Sequence, residues 1–295
     1  MSLGAMHIRF GIALLSLAGL MACTTTPSAD LAGFGRAATG LQTEVGTSFT
    51  EANRLARSAE IDRFVRSGAI GLSERRFPTA VPPEVAAHWR TALGDLARYG
   101  SLLASLTEPG RGGVRTDALR QLGVQFNAGS ATSTDLDPGI SAGFAALAGI
   151  LVDLRAQDSA REVLRRTDPK VRQLLLAMAE AVGTSDQAGL RGTVASNWTA
   201  ALSAYQRTYA VAATEKADAR QRQIVTDYLA GVDRRDAQLA ALAGLRSSLI
   251  ALADAHAAAA AGARRPFDQV VKDIGDRVDR AEATYQAIEK AGEAG

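Results

Sequence analysis

From Leu31 to Ala59 the apolar residues return every three or four positions: Leu31, Phe34, Ala38, Leu41, Val45, Phe49, Ala52, Leu55 and Ala59. That spacing draws one stripe along a helix of 3.6 residues per turn and cannot be satisfied by a strand, whose faces alternate every second residue. The same period recurs along the chain. Val85, Trp89, Leu93, Leu96, Tyr99, Leu103 and Leu106 form a second stripe, and Ile140, Phe144, Leu147, Leu151 and Leu154 a third. Val171, Leu174, Leu175, Met178 and Val182 form a fourth. A last row runs through Phe267, Val270, Ile274, Val278, Ala281, Tyr285 and Ile288. No segment alternates with period two for long enough to propose a strand. The expectation is therefore an all-α protein, an elongated antiparallel bundle of five to seven helices. Aromatic residues are only 5% of the 295-residue chain and prolines number 8, which agrees with long helices and opposes a β-sandwich or barrel.

Punctuation sets the expected boundaries. Residues 69–83 hold Gly71, Pro78, Pro82 and Pro83 and read as a linker, with Pro83 suited to a first helical turn. The run Pro109–Gly113 breaks the chain, Thr116 reads as the cap of a short helix, and 128–137 reads as a loop. Asp137-Pro138 reads as an N-cap and its following residue. Thr167-Asp168-Pro169 marks a kink or a restart. The stretch Ser185–Gly262 contains no proline, and Gly231 reads either as a break between two long helices or as a flaw within one; Pro266 opens the last helix. Gly33, Gly35, Gly40 and Gly46 are expected to weaken the first helix.

The first 23 residues do not read as part of this fold. His7 and Arg9 precede an apolar run from Phe10 to Leu20, too short to span a bilayer but of signal-peptide length. It ends in Leu20-Met21-Ala22-Cys23. This sequence resembles the lipobox of bacterial lipoproteins, and the one Cys of the chain stands where that motif needs it. The resemblance covers residues 1–23 and implies diacylglycerol on the Cys23 thiol, cleavage before Cys23, and Thr24 as the residue that favours the outer membrane. The domain expectation is then a signal peptide at 1–22, a lipidated Cys and polar tether at 23–30, and a helical bundle domain at 31–295. Extended, residues 24–30 reach about 23–25 Å.

Charge is balanced, 33 basic against 31 acidic residues, so no global field draws the chain to nucleic acid, and no nucleic-acid partner is expected. A single Cys excludes a disulfide framework and a cysteine-rich zinc site. No lysine follows a glycine, no Gly-x-Gly-x-x-Gly occurs, and the mature chain has only His88 and His256, so neither a cofactor nor a metal is expected. Gly139-Ile140-Ser141-Ala142-Gly143 matches a nucleophile elbow in letters, but that turn needs a preceding strand, and Pro138 puts Ser141 in a helix start instead. Asp135-Leu136-Asp137-Pro138-Gly139 lacks the further oxygen ligands of a calcium loop. Catalytic residues are accordingly not assigned. Two residue groups remain as a ligand or partner surface. Trp89, Trp198, Tyr205 and Tyr209 are amphipathic aromatics at helical spacing, and Arg161, Arg165 and Arg172 belong to a locally basic run suited to phosphate. Both have plainer readings, as core aromatics and as a self-paired solvated face. The leading expectation is a periplasmic lipoprotein anchored by Cys23 to the outer membrane, acting as a scaffold or protein-binding module on an envelope partner. A carrier of a small apolar or lipid ligand is the alternative, and a serine hydrolase using Ser141 a third.

Overall fold

The computed structural model describes residues 28–108, 112–132 and 137–293. The lipobox and Cys23 lie outside the described residues, as do Asp135 and the side chains of Tyr285 and Ile288. Eight α-helices follow in order: α1 (Ser28–Arg66), α2 (Pro83–Leu106), α3 (Gly112–Thr132), α4 (Pro138–Val152), α5 (Ala160–Val182), α6 (Gly189–Thr214), α7 (Asp218–Ala260) and α8 (Asp268–Glu293). One 3-10 turn, Glu74–Arg76, lies in the α1–α2 connection, and no strand occurs among the described residues. The protein is all-α, and the described residues hold one helix more than the expected range.

The expected stripes of α1, α2, α4 and α5 become seams, and of the last row Phe267 and Ile274 are buried. Leu31, Phe34, Ala38, Leu41, Val45, Phe49, Ala52 and Leu55 are all buried on α1, and Trp89, Leu93, Leu96, Tyr99 and Leu103 on α2. Phe34 meets the ring of Tyr99 while Phe49 meets that of Trp89, so residue numbers run in opposite senses and the two helices are antiparallel. Gly123 against Leu151 and Phe126 against Phe144 make α3 and α4 antiparallel in the same way. α1 and α8 differ. Gly33 faces Phe267, just before α8, and Gly40 faces Ile274, so the two ends of the described chain pack side by side in the same direction.

Three of the four glycines of α1 are contact points rather than flaws. A Cβ at Gly33 would stand 2.7 Å from the Phe267 side chain, and one at Gly40 the same distance from Ile274. Gly35 and Gly100 face each other across the α1–α2 seam, where a Cβ at Gly100 would lie 2.5 Å from the Gly35 nitrogen. Only Gly46 of the four has nothing within 4 Å and carries the expected propensity cost without a packing return.

Several boundaries are corrected. α1 begins at Ser28, so the last three residues of the expected tether are helical. Thr116 is buried inside α3 and is not its cap, and α3 extends to Thr132. Asp137 does cap α4, its carboxylate accepting from the Gly139 N–H at 2.8 Å. α5 runs through Pro169 without a restart; the lost N–H strands one carbonyl in a helix otherwise held by packing. α7 runs through Gly231, whose missing side chain makes room for Leu202 of α6. The break lies instead at Glu215–Ala217, where Lys216 takes φ 52°. A lysine in the left-handed region is uncommon, so no residue type advertises this turn. Among the described residues no helix is long and apolar enough to cross a membrane.

Candidate functional site

Past the bundle core, α6 and α7 continue as a hairpin. Its inner part is anchored by Trp198, whose indole N–H donates to Gln238 Oε1 at 2.7 Å, and by Leu202 over Gly231. Further out the pair is thinly packed. Between residues 203 and 230 only Ala212 and Ile224 are buried. Here Tyr205, Gln206 and Tyr209 of α6 face Ile224, Val225 and Tyr228 of α7 across a groove of about 290 Å³. Tyr209, Val211, Val225 and Leu229 leave 40–55% of their surface in solvent. Of these, Tyr209 and Val225 line the groove itself; exposed apolar surface around a groove is a candidate interaction site, and tyrosine supplies large contact area with few rotors to freeze.

The expected aromatic group therefore divides. Tyr205 and Tyr209 come together in the groove, whereas Trp89 and Trp198 are core residues, 5% and 7% exposed. Trp89 borders a shallow apolar recess of about 230 Å³ shared with Phe49, Val85 and Ile140, smaller than the usual ligand pocket. Tyr228, Ile224 and Val225 were not singled out as site residues. Their signal is the turn at 215–217, about which Tyr209 and Ile224 are nearly mirror-placed.

The expected basic group does not converge. Arg165 pairs with Glu162 at 3.2 Å on its own helix, and Arg172 reaches across to Asp254 of α7 at 3.4 Å. Arg161 lies against Gly262 at the end of α7. Neighbouring Arg166 pairs with Asp158 at 3.1 Å. This is a face paired with its own acids.

One polar constellation is invisible in the sequence. His256 Nδ1 lies 2.9 Å from Asp168 Oδ1, its Nε2 lies 3.2 Å from the Tyr99 hydroxyl, and that hydroxyl lies 2.5 Å from Thr167 Oγ1. Burial lowers the His256 pKa, with Asp168 acting in the opposite direction. Burial likewise raises that of Tyr99. A neutral imidazole that donates from Nδ1 to Asp168 leaves Nε2 as an acceptor, and because the Thr167 hydroxyl donates to the Val163 carbonyl at 2.8 Å, the Tyr99 O–H is the donor shared between Thr167 Oγ1 and His256 Nε2. The chain has the form of an acid–base relay, but Tyr99, Thr167 and His256 are fully buried and Phe34 packs edge-on against both rings. It joins α1, α2, α5 and α7. Tyr99→Phe removes one hydroxyl and strands the acceptor on His256. It is expected to cost about 1–2 kcal/mol in urea denaturation.

Ser141 is not brought to this histidine. It sits in the first turn of α4 with its Oγ buried and unpartnered, and both nitrogens of His256 are engaged elsewhere. No family model, no curated protein and no solved structure matches the chain.

Proposed function

We propose that the chain is a lipid-anchored envelope protein of the periplasmic face of the outer membrane, acting by binding a protein partner through the outer part of the α6–α7 hairpin. The observation that carries the reading is the tyrosine-lined groove between α6 and α7, with Tyr209 and Val225 of its lining 40% and 43% exposed. A hairpin folded for stability alone would place polar residues at Tyr209, Val211, Val225 and Leu229, since their exposure contributes nothing to the core. The anchor rests on the lipobox. Acyl chains on Cys23 hold the chain durably when two or more are present, each buried CH₂ contributing about 0.8 kcal/mol. α1 starts five residues later, so the folded part stays close to the bilayer.

Two measurements test the two halves separately. Cys23→Ser is expected to abolish acyl labelling and move the protein out of the membrane fraction; a variant still labelled and membrane-bound ends the anchor half. A photo-crosslinking residue at Gln206, inside the groove, is expected to give one discrete protein adduct in native envelopes. Tyr209→Ser with Val225→Ser is expected to abolish that adduct. The same residue at exposed Arg165 is expected to give none. Adducts from both positions, or none from Gln206, would end the binding half.

A further inference from the structure

The α1–α2 connection presents a second exposed apolar feature, of different chemistry. The chain leaves α1 at Arg66 and returns where Phe77 packs on Phe64, ring centroids 5.5 Å apart, with the Arg76 guanidinium 5.7 Å over the Phe64 ring. Residues 67–76 are therefore a loop closed at its base. Gly68 at φ 62° and Gly71 at φ 93° make its bends, and a Cβ at either would touch nothing within 4 Å. Between and beyond them Ile70 is 96% exposed and Leu72 83% exposed. Ile61 and Val65, one turn apart at the end of α1, are exposed as well.

The surroundings are basic. Arg57, Arg63, Arg66, Arg75 and Arg76 stand against Glu60, Asp62 and Glu74, so residues 57–76 carry a net +2, as much as the whole chain. Arg63 is spent on Glu60, while Arg66, just before the loop, and Arg75, within it, are exposed. Two aliphatics at a convex apex offer far less than the roughly 800 Å² per partner of a stable protein interface. A bilayer interface accepts a convex apolar tip, and arginine binds its phosphates in bidentate fashion.

We propose that the loop 67–76 docks on an anionic phospholipid surface, Ile70 and Leu72 entering the interfacial region while Arg66 and Arg75 contact headgroup phosphates. The proposal does not rest on the acyl anchor. The loop is at the opposite end of α1 from Cys23, and 39 helical residues span about 58 Å.

The test uses residues 24–295, which keep every described residue and lack both the signal and the acylated Cys. This chain is expected to co-sediment with phosphatidylglycerol-containing vesicles and not with pure phosphatidylcholine. Ile70→Ser with Leu72→Ser is expected to weaken the binding about tenfold or more while leaving helicity and thermal midpoint unchanged. In a Leu72→Trp variant, emission is expected to shift to the blue only with the anionic vesicles, Trp89 and Trp198 being buried and constant. Failure to bind anionic vesicles, as when a protein covers the loop instead, overturns the proposal. So does binding undiminished in the double serine variant, or equal binding to the neutral vesicles.

Discussion

Gly100→Ala is expected to lower the unfolding free energy by about 3 kcal/mol, although it adds one methyl group and improves helix propensity. The added Cβ would lie 2.5 Å from the backbone nitrogen of Gly35, 2.9 Å from its Cα and 3.0 Å from the Phe34 ring. Two of those three atoms are backbone, so no rotamer change relieves the contact. α1 must move away from α2, and the motion disturbs Phe34, which also packs on His256 and Phe267. Gly46→Ala is the control on α1, where a Cβ meets nothing within 4 Å. It is expected to raise stability by about 0.5–1 kcal/mol, the propensity difference alone. Urea midpoints of residues 24–295 check both. Equal small gains from the two variants would mean that α1 and α2 do not approach at Gly35.

What the sequence made legible was what one helix dictates by itself. The stripe on α1 named its buried face from Leu31 to Leu55, and those on α4 and α5 named theirs, because a period of three and four depends only on neighbours along the chain. The role of Gly33, Gly35 and Gly40 depends on Phe267, Gly100 and Ile274, residues of other helices, and propensity alone gave these glycines the wrong sign. The α6–α7 turn was misplaced for a related reason. Gly231 looks like a breaker but fits under Leu202, whereas Lys216 bears the positive φ without looking like a turn residue. In the candidate site, Tyr205 and Tyr209 share α6 and were legible together. Tyr228 joins them only once the turn position is known. The Tyr99–His256–Asp168 chain draws on residues 157 and 88 positions apart, and no local pattern encodes such pairs. A face paired with its own acids was legible on α5, but not which acid each arginine takes: Glu162 goes to Arg165, and the partner of Arg172 stands on α7.

Glu44→Gln is expected to stabilise the protein by roughly 2 to 3 kcal/mol at pH 8 while changing it by no more than about 1 kcal/mol at pH 5. Glu44 lies on α1 facing α7 and α8, 6% exposed, with its Oε2 buried and unpartnered. Burial raises its pKa from 4.5 to about 7, and the nearby Arg277 and the Ser248 hydroxyl only partly offset that. Arg277 is itself held by the Gly244 carbonyl at 2.7 Å and by Ser248. Because the folded-state pKa exceeds the unfolded one, the folded chain binds more protons between pH 4.5 and 7, and unfolding free energy falls as pH rises through that window. The slope approaches about 1.4 kcal/mol per pH unit, or about 3 kcal/mol across the interval, all of it lost above pH 7. Glutamine keeps the shape of the neutral carboxyl and has no proton to lose. His256 acts with the opposite sign: its folded pKa is lowered, so its contribution is complete above the ordinary value of 6.5 and is lost as pH falls below it. The two residues mask each other in the wild-type profile, and the informative quantity is the difference between variant and wild type in urea denaturation at each pH. That difference is expected to grow steadily from pH 5 to pH 7 and then to level. A difference constant over the whole range would mean that the carboxylate is ionised throughout and paired with Arg277, so that α1 and α8 are joined by an ion pair and not by a neutral acid.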